Sequence, residues 1–180
     1  MSDGRPRAPI GLRGGEGLGT LVLGVGAAFV GLATWLVFEG RETLAGVAAA
    51  LSGAALVSGA ALTRKYGAGL HAFVDSGIDR AFDGCLLSAI ALTSRQADPP
   101  AAGAAVGALA AGFLGAYVRA RGVSLGYPIE ESLVSRGIRY ALVAVGLGAK
   151  VLGPAMFVLL GFTLLAAVVR GSQVAKKERE

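Results

Sequence analysis

The sequence is poor in charged residues and in cysteine, and each shortage excludes a class of protein. Only 16% of its 180 residues are charged, whereas roughly 25% of a typical soluble domain is charged. The single cysteine, Cys85, excludes an internal disulfide and a cysteine-based metal cluster. With 54% hydrophobic residues and a mean hydropathy of +0.64, the composition indicates a polytopic membrane protein.

Long apolar runs are present, and they predict an all-α integral membrane protein with six transmembrane helices. The 29 glycines, together with abundant alanine, favour a closely packed bundle. Residues 1–16 form a polar N-terminal segment for which a short interfacial helix is one interpretation, 17–169 form the bundle, and 170–180 form a charged tail. The predicted spans cover 17–38, 43–63, 70–94, 101–118, 133–149, and the stretch from Pro154 to about Val169.

The distribution of basic residues predicts the orientation of this bundle. Six spans place both termini on one side, and 14 of the 17 Lys and Arg residues fall on that same side. By the positive-inside rule, we expect cytoplasmic N- and C-termini in the cell membrane. The same count places the charged residues described next on the cytoplasmic face.

Three aspartates at the head of the third predicted span form the most unusual pattern in the chain. Asp75, Asp79 and Asp83 are spaced by four, which aligns them on one helical face; we call them the aspartate ladder. Placing a carboxylate near a bilayer costs free energy, so such groups are usually paired, hydrated or bound to a cation. One interpretation is therefore a divalent-cation site with a neighbouring general base. The alternative is a hydrated, salt-bridged helix head whose charge is balanced by Arg80 and by the nearby Arg64 or Lys65.

Two arginine pairs lie on the same predicted face. Arg119 and Arg121 are placed in a polar loop from Arg119 to about Ser132, and Arg136 and Arg139 on the first turns of the fifth span. Arginine binds phosphate in a bidentate manner, so a pocket for a phosphorylated substrate or lipid headgroup is one interpretation. Ordinary positive-inside anchoring is the other. We interpret Tyr140 as an interface anchor.

Three segments resemble the CDP-alcohol phosphatidyltransferases. AFVDSGIDRAFDG at 72–84 resembles the second half of that family's signature, Gly-x-x-x-Asp-x-x-x-Asp, with Asp75 and Asp79 on the two aspartates. YVRARGVSLG at 117–126 is similar to a Tyr-x-Lys/Arg-Ala-Arg segment of the branch that makes phosphatidylinositol phosphate and related lipids. SRGIR at 135–139 resembles its Glu-Arg-x-x-Arg segment, with Ser135 in place of the glutamate.

The resemblance implies a fold, an activity and a site. The fold is a six-span bundle with cytoplasmic termini, typically a homodimer. The activity is transfer of a phosphatidyl group from a CDP-linked lipid to an alcohol or phosphorylated alcohol, with release of CMP. The implied cofactor is Mg²⁺ or Mn²⁺, and no nucleic-acid partner is expected. The implied roles are general base for Asp79, metal binding for Asp75 and Asp83, and binding of the acceptor's phosphate for Arg119, Arg121, Arg136 and Arg139.

The chain departs from the family pattern at the end of the second predicted span. The first half of the signature, Asp-x-x-Asp-Gly-x-x-Ala-Arg, belongs there, but residues 54–64 read AALVSGAALTR and contain no acid. This motivates an alternative function, a degenerate and non-catalytic member that binds lipid or a partner membrane protein. A third interpretation is a small multispan protein whose likeness to the motif is accidental.

Overall fold

A computed structural model describes residues 14–66, 70–127 and 133–177, and within them the chain is entirely α-helical. The side chains described are those of 17–62, 73–127 and 133–175. All six predicted helices are present. They are α1 (Gly14–Phe38), α2 (Glu42–Tyr66), α3 (Leu70–Ser94), α4 (Pro99–Ser124), α5 (Leu133–Gly148) and α6 (Leu152–Lys177).

Local chemistry explains where several helices begin and end. Gly40, with a φ of +70°, turns the chain between α1 and α2 in a conformation that favours glycine. Asp98 caps α4 by accepting a hydrogen bond from the Ala101 N–H at 3.1 Å, and two prolines fill the first turn, where their missing N–H groups cost nothing. Gly126, with a φ of +88°, follows the end of α4.

α2 runs slightly beyond its predicted end at Thr63, to Tyr66, and two other helices run well beyond their predicted ends. α4 continues to Ser124, so the predicted loop starting at Arg119 is wrong, and both Arg119 and Arg121 are helical. α6 continues beyond the predicted end at Val169 to Lys177. In both cases charged residues suggested a loop, but arginine and lysine are good helix formers, and charge alone does not end a helix.

Within the described ranges, four helices are long and apolar enough to cross a membrane, which indicates a membrane protein. They are 17–38 of α1, 42–62 of α2, all of α4, and 152–175 of α6. α3 carries the aspartate ladder and Arg80, while α5 has 16 residues and includes two arginines. These two polar helices bring the charged side chains into the bundle.

The helices pack as a closed ring in the spatial order α1, α2, α5, α6, α4, α3 and back to α1. α3 and α5 face each other across this ring, and among the described residues no Cα atom of α3 lies within 8 Å of a Cα atom of α5. A large apolar core, including Leu86, Ile90 and Leu147, fills part of the ring. The gap between α3 and α5 is bridged by long polar side chains.

Glycines permit the close approach of α2 to α5. A Cβ at Gly46 would lie 2.6 Å from the Gly148 Cα and 2.7 Å from the Ala144 carbonyl oxygen. A Cβ at Gly53 would lie 2.7 Å from the Cβ of Tyr140. Small residues at helix contacts in membranes let backbones meet and pack well. This contact fixes α5, and with it the arginines that α5 carries.

Gly46→Ala is therefore expected to lower the free energy of unfolding by roughly 1–3 kcal/mol, because backbone atoms of α5 cannot move aside as a side chain would. Gly103→Ala in α4 is the matched control, since a Cβ there meets nothing within 4 Å. Thermal unfolding of both variants in detergent measures the difference. Equal stability of the two variants would contradict the close α2–α5 contact.

Candidate functional site

The aspartate ladder lies inside the ring on α3. Asp75, Asp79 and Asp83 are all buried, and Asp79 is only 1% exposed. Their four-residue spacing puts all three on the face of α3 that looks toward α5, as the sequence predicted from helical periodicity. Buried carboxylates require compensating donors, and the donors come from α5 and from α3 itself.

Two arginines of α5 supply most of these donors. Arg136 donates from Nη1 to Asp75 Oδ1 at 2.7 Å, and its Nε lies 3.4 Å from Asp79 Oδ1. Arg139 donates from Nη2 to both oxygens of Asp79, at 3.0 and 2.9 Å, and from Nη1 to Asp83 Oδ2. Each arginine therefore bridges two neighbouring rungs of the ladder.

Asp79 is the centre of the cluster because it has the most partners. Besides the two arginines of α5, it accepts hydrogen bonds from the Tyr140 hydroxyl and from Arg80 Nη2. The ring of Tyr140 packs against Phe82 with centroids 4.2 Å apart, which holds the hydroxyl in place. Both oxygens of this carboxylate are thus fully engaged.

Arg80 joins the cluster to α4. Its Nη1 donates to the Gly112 carbonyl oxygen at 3.1 Å and lies 3.4 Å from Asp83 Oδ2. The guanidinium also lies over the ring of Phe113, 5.9 Å from its centroid. This confirms the expectation that Arg80 balances the charge of the ladder. We call these seven residues the aspartate–arginine network: Asp75, Asp79, Arg80, Asp83, Arg136, Arg139 and Tyr140.

The network is balanced in formal charge, since three carboxylates face three guanidinium groups. Removing one partner from a buried pair leaves an uncompensated charge, which typically costs about 3–5 kcal/mol. Loss of any one of these carboxylates or guanidinium groups is therefore expected to weaken the attachment of α3 to α5.

The side chains that the sequence assigned to a metal do not fit Mg²⁺ or Mn²⁺. Asp75 and Asp83 each give an oxygen to an α5 arginine. Within the described ranges, no three His, Cys, Asp or Glu side chains group closely enough to hold a metal ion. When the Asp-x-x-Asp-Gly part of the signature is aligned with α2, its two aspartates fall on a half-buried Ala55 and an exposed Ser58. Hard divalent cations need several oxygen ligands, and here guanidinium groups occupy the places beside the carboxylates.

Arg119 and Arg121, the second predicted arginine pair, lie on the last turns of α4. α3 and α4 are joined by the short 95–98 connection and run antiparallel, with Gly112 beside Asp83. Arg119 is seven residues beyond Gly112, which is about 10 Å along the axis of α4. Because the two helices are antiparallel, this places Arg119 at about the same height along the bundle axis as Asp75. Arg119 is half-buried and Arg121 is exposed.

A small basic crevice opens beside the network, between α3, α4, α5 and α6. Its polar lining residues are Arg80, Arg139, Arg170, Ser135 and Thr163. Arg80 and Arg139 are also paired with Asp79 and Asp83, and the Thr163 hydroxyl donates to the Leu159 carbonyl oxygen. Its volume is about 10 Å³, enough for one water molecule. The Arg170 guanidinium lies along α4, where a Cβ at Gly115 would approach Nη1 at 3.0 Å.

Sequence reasoning missed two of these residues. Tyr140 was interpreted as an interface anchor, but it is 2% exposed and bonded to Asp79, so that interpretation is wrong. Its spacing of four from Arg136 places both on one helical face, and that signal was available. Arg170 was assigned to the tail, and nothing in its local sequence distinguishes it from an ordinary membrane-flanking arginine.

Tyr140→Phe is expected to lower the free energy of unfolding by about 1–3 kcal/mol, because a buried carboxylate loses a donor while the contact with Phe82 remains. Tyr117→Phe, at a position 66% exposed, is the matched control and should change nothing. Thermal unfolding in detergent compares the two. A similar loss in both variants would argue against the Tyr140–Asp79 hydrogen bond.

No protein-family model, curated protein or solved structure matches this chain.

Proposed function

We propose that the chain is a membrane protein that binds an anionic, phosphate-bearing lipid headgroup and does not itself transfer a phosphatidyl group. In this proposal it has the six-span architecture of the CDP-alcohol phosphatidyltransferases, with cytoplasmic termini in the cell membrane. Four apolar helices and the concentration of basic residues at one end support the topology.

The observation that carries the binding function is the basic crevice. Three arginines, one serine and one threonine line it, and no Asp or Glu is among its lining residues. Arginine forks match the oxygens of a phosphate, and basic pockets between helices on the cytoplasmic side suit lipid headgroups. Because the crevice has room for only about one water molecule, a phosphate group would contact it with one edge. The lipid chains would remain in the bilayer.

The state of Asp79 argues for binding without transfer. A general base needs an oxygen within reach of the substrate hydroxyl. Both oxygens of Asp79 already accept hydrogen bonds from Arg139, and Arg80 and Tyr140 add further donors. A substrate would have to displace a buried charged donor before the carboxylate could accept its proton.

Lipid binding by the purified protein tests the proposal. Native mass spectrometry or thermal shift in detergent should show preferential binding of phosphatidic acid and CDP-diacylglycerol over phosphatidylcholine of the same chain length. Arg170→Gln should weaken this binding by about tenfold, the cost of one charge-assisted contact. Arg95→Gln, an exposed arginine at the other end of the bundle, is the control. Equal binding of all three lipids would overturn the proposal.

Phosphatidyl transfer by the same bundle is the second candidate, and the nearness of the crevice to Asp79 favours it. Arg80 and Arg139 line the crevice and also bond to that carboxylate. Release of CMP from a CDP-lipid, assayed across alcohols and phosphorylated alcohols, tests this function. Turnover by the unchanged chain would establish this function and replace the binding-only proposal, and its loss in a folded Asp79→Asn protein would assign the general base.

A further inference from the structure

We infer that Arg136 and Arg139 take the place of a divalent cation as the permanent counter-ions of the aspartate ladder, so that the folded bundle neither needs nor binds a metal ion there. This inference is independent of the proposed lipid function, because it concerns what neutralises the carboxylates and not what the crevice binds. It gives Arg136 a role other than binding a substrate's phosphate, while Arg139 neutralises two carboxylates and also lines the crevice.

The first support is geometric. A cation shared by neighbouring carboxylates has to lie between them, and each α5 arginine reaches into such a position. Arg136 lies between Asp75 and Asp79. Arg139 joins Asp79 to Asp83 with its two terminal nitrogens. Together they cover the whole length of the ladder.

The second support is the charge balance. Arg80 completes the neutral set of three carboxylates and three guanidinium groups. Adding Mg²⁺ or Mn²⁺ would create an excess of two positive charges in a buried site, where unscreened charge is costly. A divalent cation could enter only if a guanidinium group left.

The third support is the separation of α3 and α5. Their Cα atoms stay more than 8 Å apart within the described part of the chain, a gap that the long planar side chain of arginine can cross while making two directed bonds. Arg136 is 1% exposed and ranks first by volume among the fully buried side chains. A residue so deeply buried is part of the folded core.

Manganese binding, measured by electron paramagnetic resonance in detergent without any phosphate or lipid phosphate added, tests the inference. The unchanged chain should leave millimolar Mn²⁺ free in solution, and EDTA should shift its unfolding midpoint by less than about 1 °C. Arg139→Gln removes the guanidinium group that Asp79 and Asp83 share, so it should bind Mn²⁺ at least about tenfold more tightly and be stabilised by it. Adding Asp79→Asn to that variant should remove the gain.

Two results would overturn the inference. One is stoichiometric Mn²⁺ binding by the unchanged chain that Asp75→Asn abolishes. The other is a folded Arg139→Gln protein that binds no more Mn²⁺ than the unchanged chain. If Arg139→Gln does not fold, Arg136→Gln, which frees Asp75, carries the same two outcomes. Since the assay contains no phosphate, its result is separate from that of the lipid-binding test.

Discussion

Replacing Asp79 with asparagine is expected to lower the free energy of unfolding by about 3–5 kcal/mol, because it leaves buried guanidinium groups without their shared carboxylate. Arg139 directs one nitrogen at both oxygens of Asp79, and Arg80 and Tyr140 also donate to it. Asparagine keeps the size of the side chain but removes the charge and one acceptor. The three guanidinium groups would then face only two carboxylates.

Unfolding of the purified protein in mixed micelles by increasing SDS measures this loss. Glu39→Gln is the control, since it also removes one negative charge, but from an exposed position at the end of α1. Exposed charges contribute about 0–1 kcal/mol, so the control should behave like the unchanged chain. If Asp79→Asn matched the control, the buried network would not be a source of stability.

The aspartate ladder could be predicted from sequence because its pattern is local. Spacing by four places side chains on one face of any helix, whatever surrounds it. The bounds predicted for α3, from Leu70 to Ser94, agree with the structure for the same reason. In the sequence, Gly67 and Gly69 precede this stretch and Arg95 follows it, and both signals are contained in adjacent residues.

The partners of the ladder could not be predicted, because they depend on which helix lies opposite α3 in the ring. Arg136 and Asp75 are 61 residues apart in the chain, and periodicity within one helix says nothing about which helix lies opposite. The sequence placed both arginine pairs on the same side of the membrane, but only the packing of α5 on α2 determines that Arg136 and Arg139 reach the aspartates. That packing depends on small residues such as Gly46.

The assignment of Asp75 and Asp83 to a metal illustrates the same limit. The residues that carry the family resemblance are compatible both with metal ligands and with salt-bridged carboxylates. The sequence contained the discriminating observation, the acid-free stretch at 54–64, which removes the further carboxylates that a divalent cation requires. In the structure, guanidinium groups lie between the carboxylates, at the positions that a cation would have to occupy.

Arg136→Gln is expected to cost about 3–5 kcal/mol of unfolding free energy, because it leaves Asp75 buried without its charged donor. Since Arg136 is almost completely buried, water cannot replace the lost bond without opening the ring. Arg41→Gln, at an exposed position in the α1–α2 turn, is the matched control for removing one arginine and should cost little.

Adding Asp75→Asn to Arg136→Gln should restore part of the lost stability, because the second change removes the uncompensated carboxylate. The two single variants and the double variant form a thermodynamic cycle whose coupling energy isolates the pair, and contacting residues typically give about 0.5–3 kcal/mol. Additive losses would mean that Asp75 and Arg136 stabilise the bundle separately. A measurable coupling would mean that charged side chains, spanning a gap that the backbones of α3 and α5 do not close, hold the two sides of the ring together.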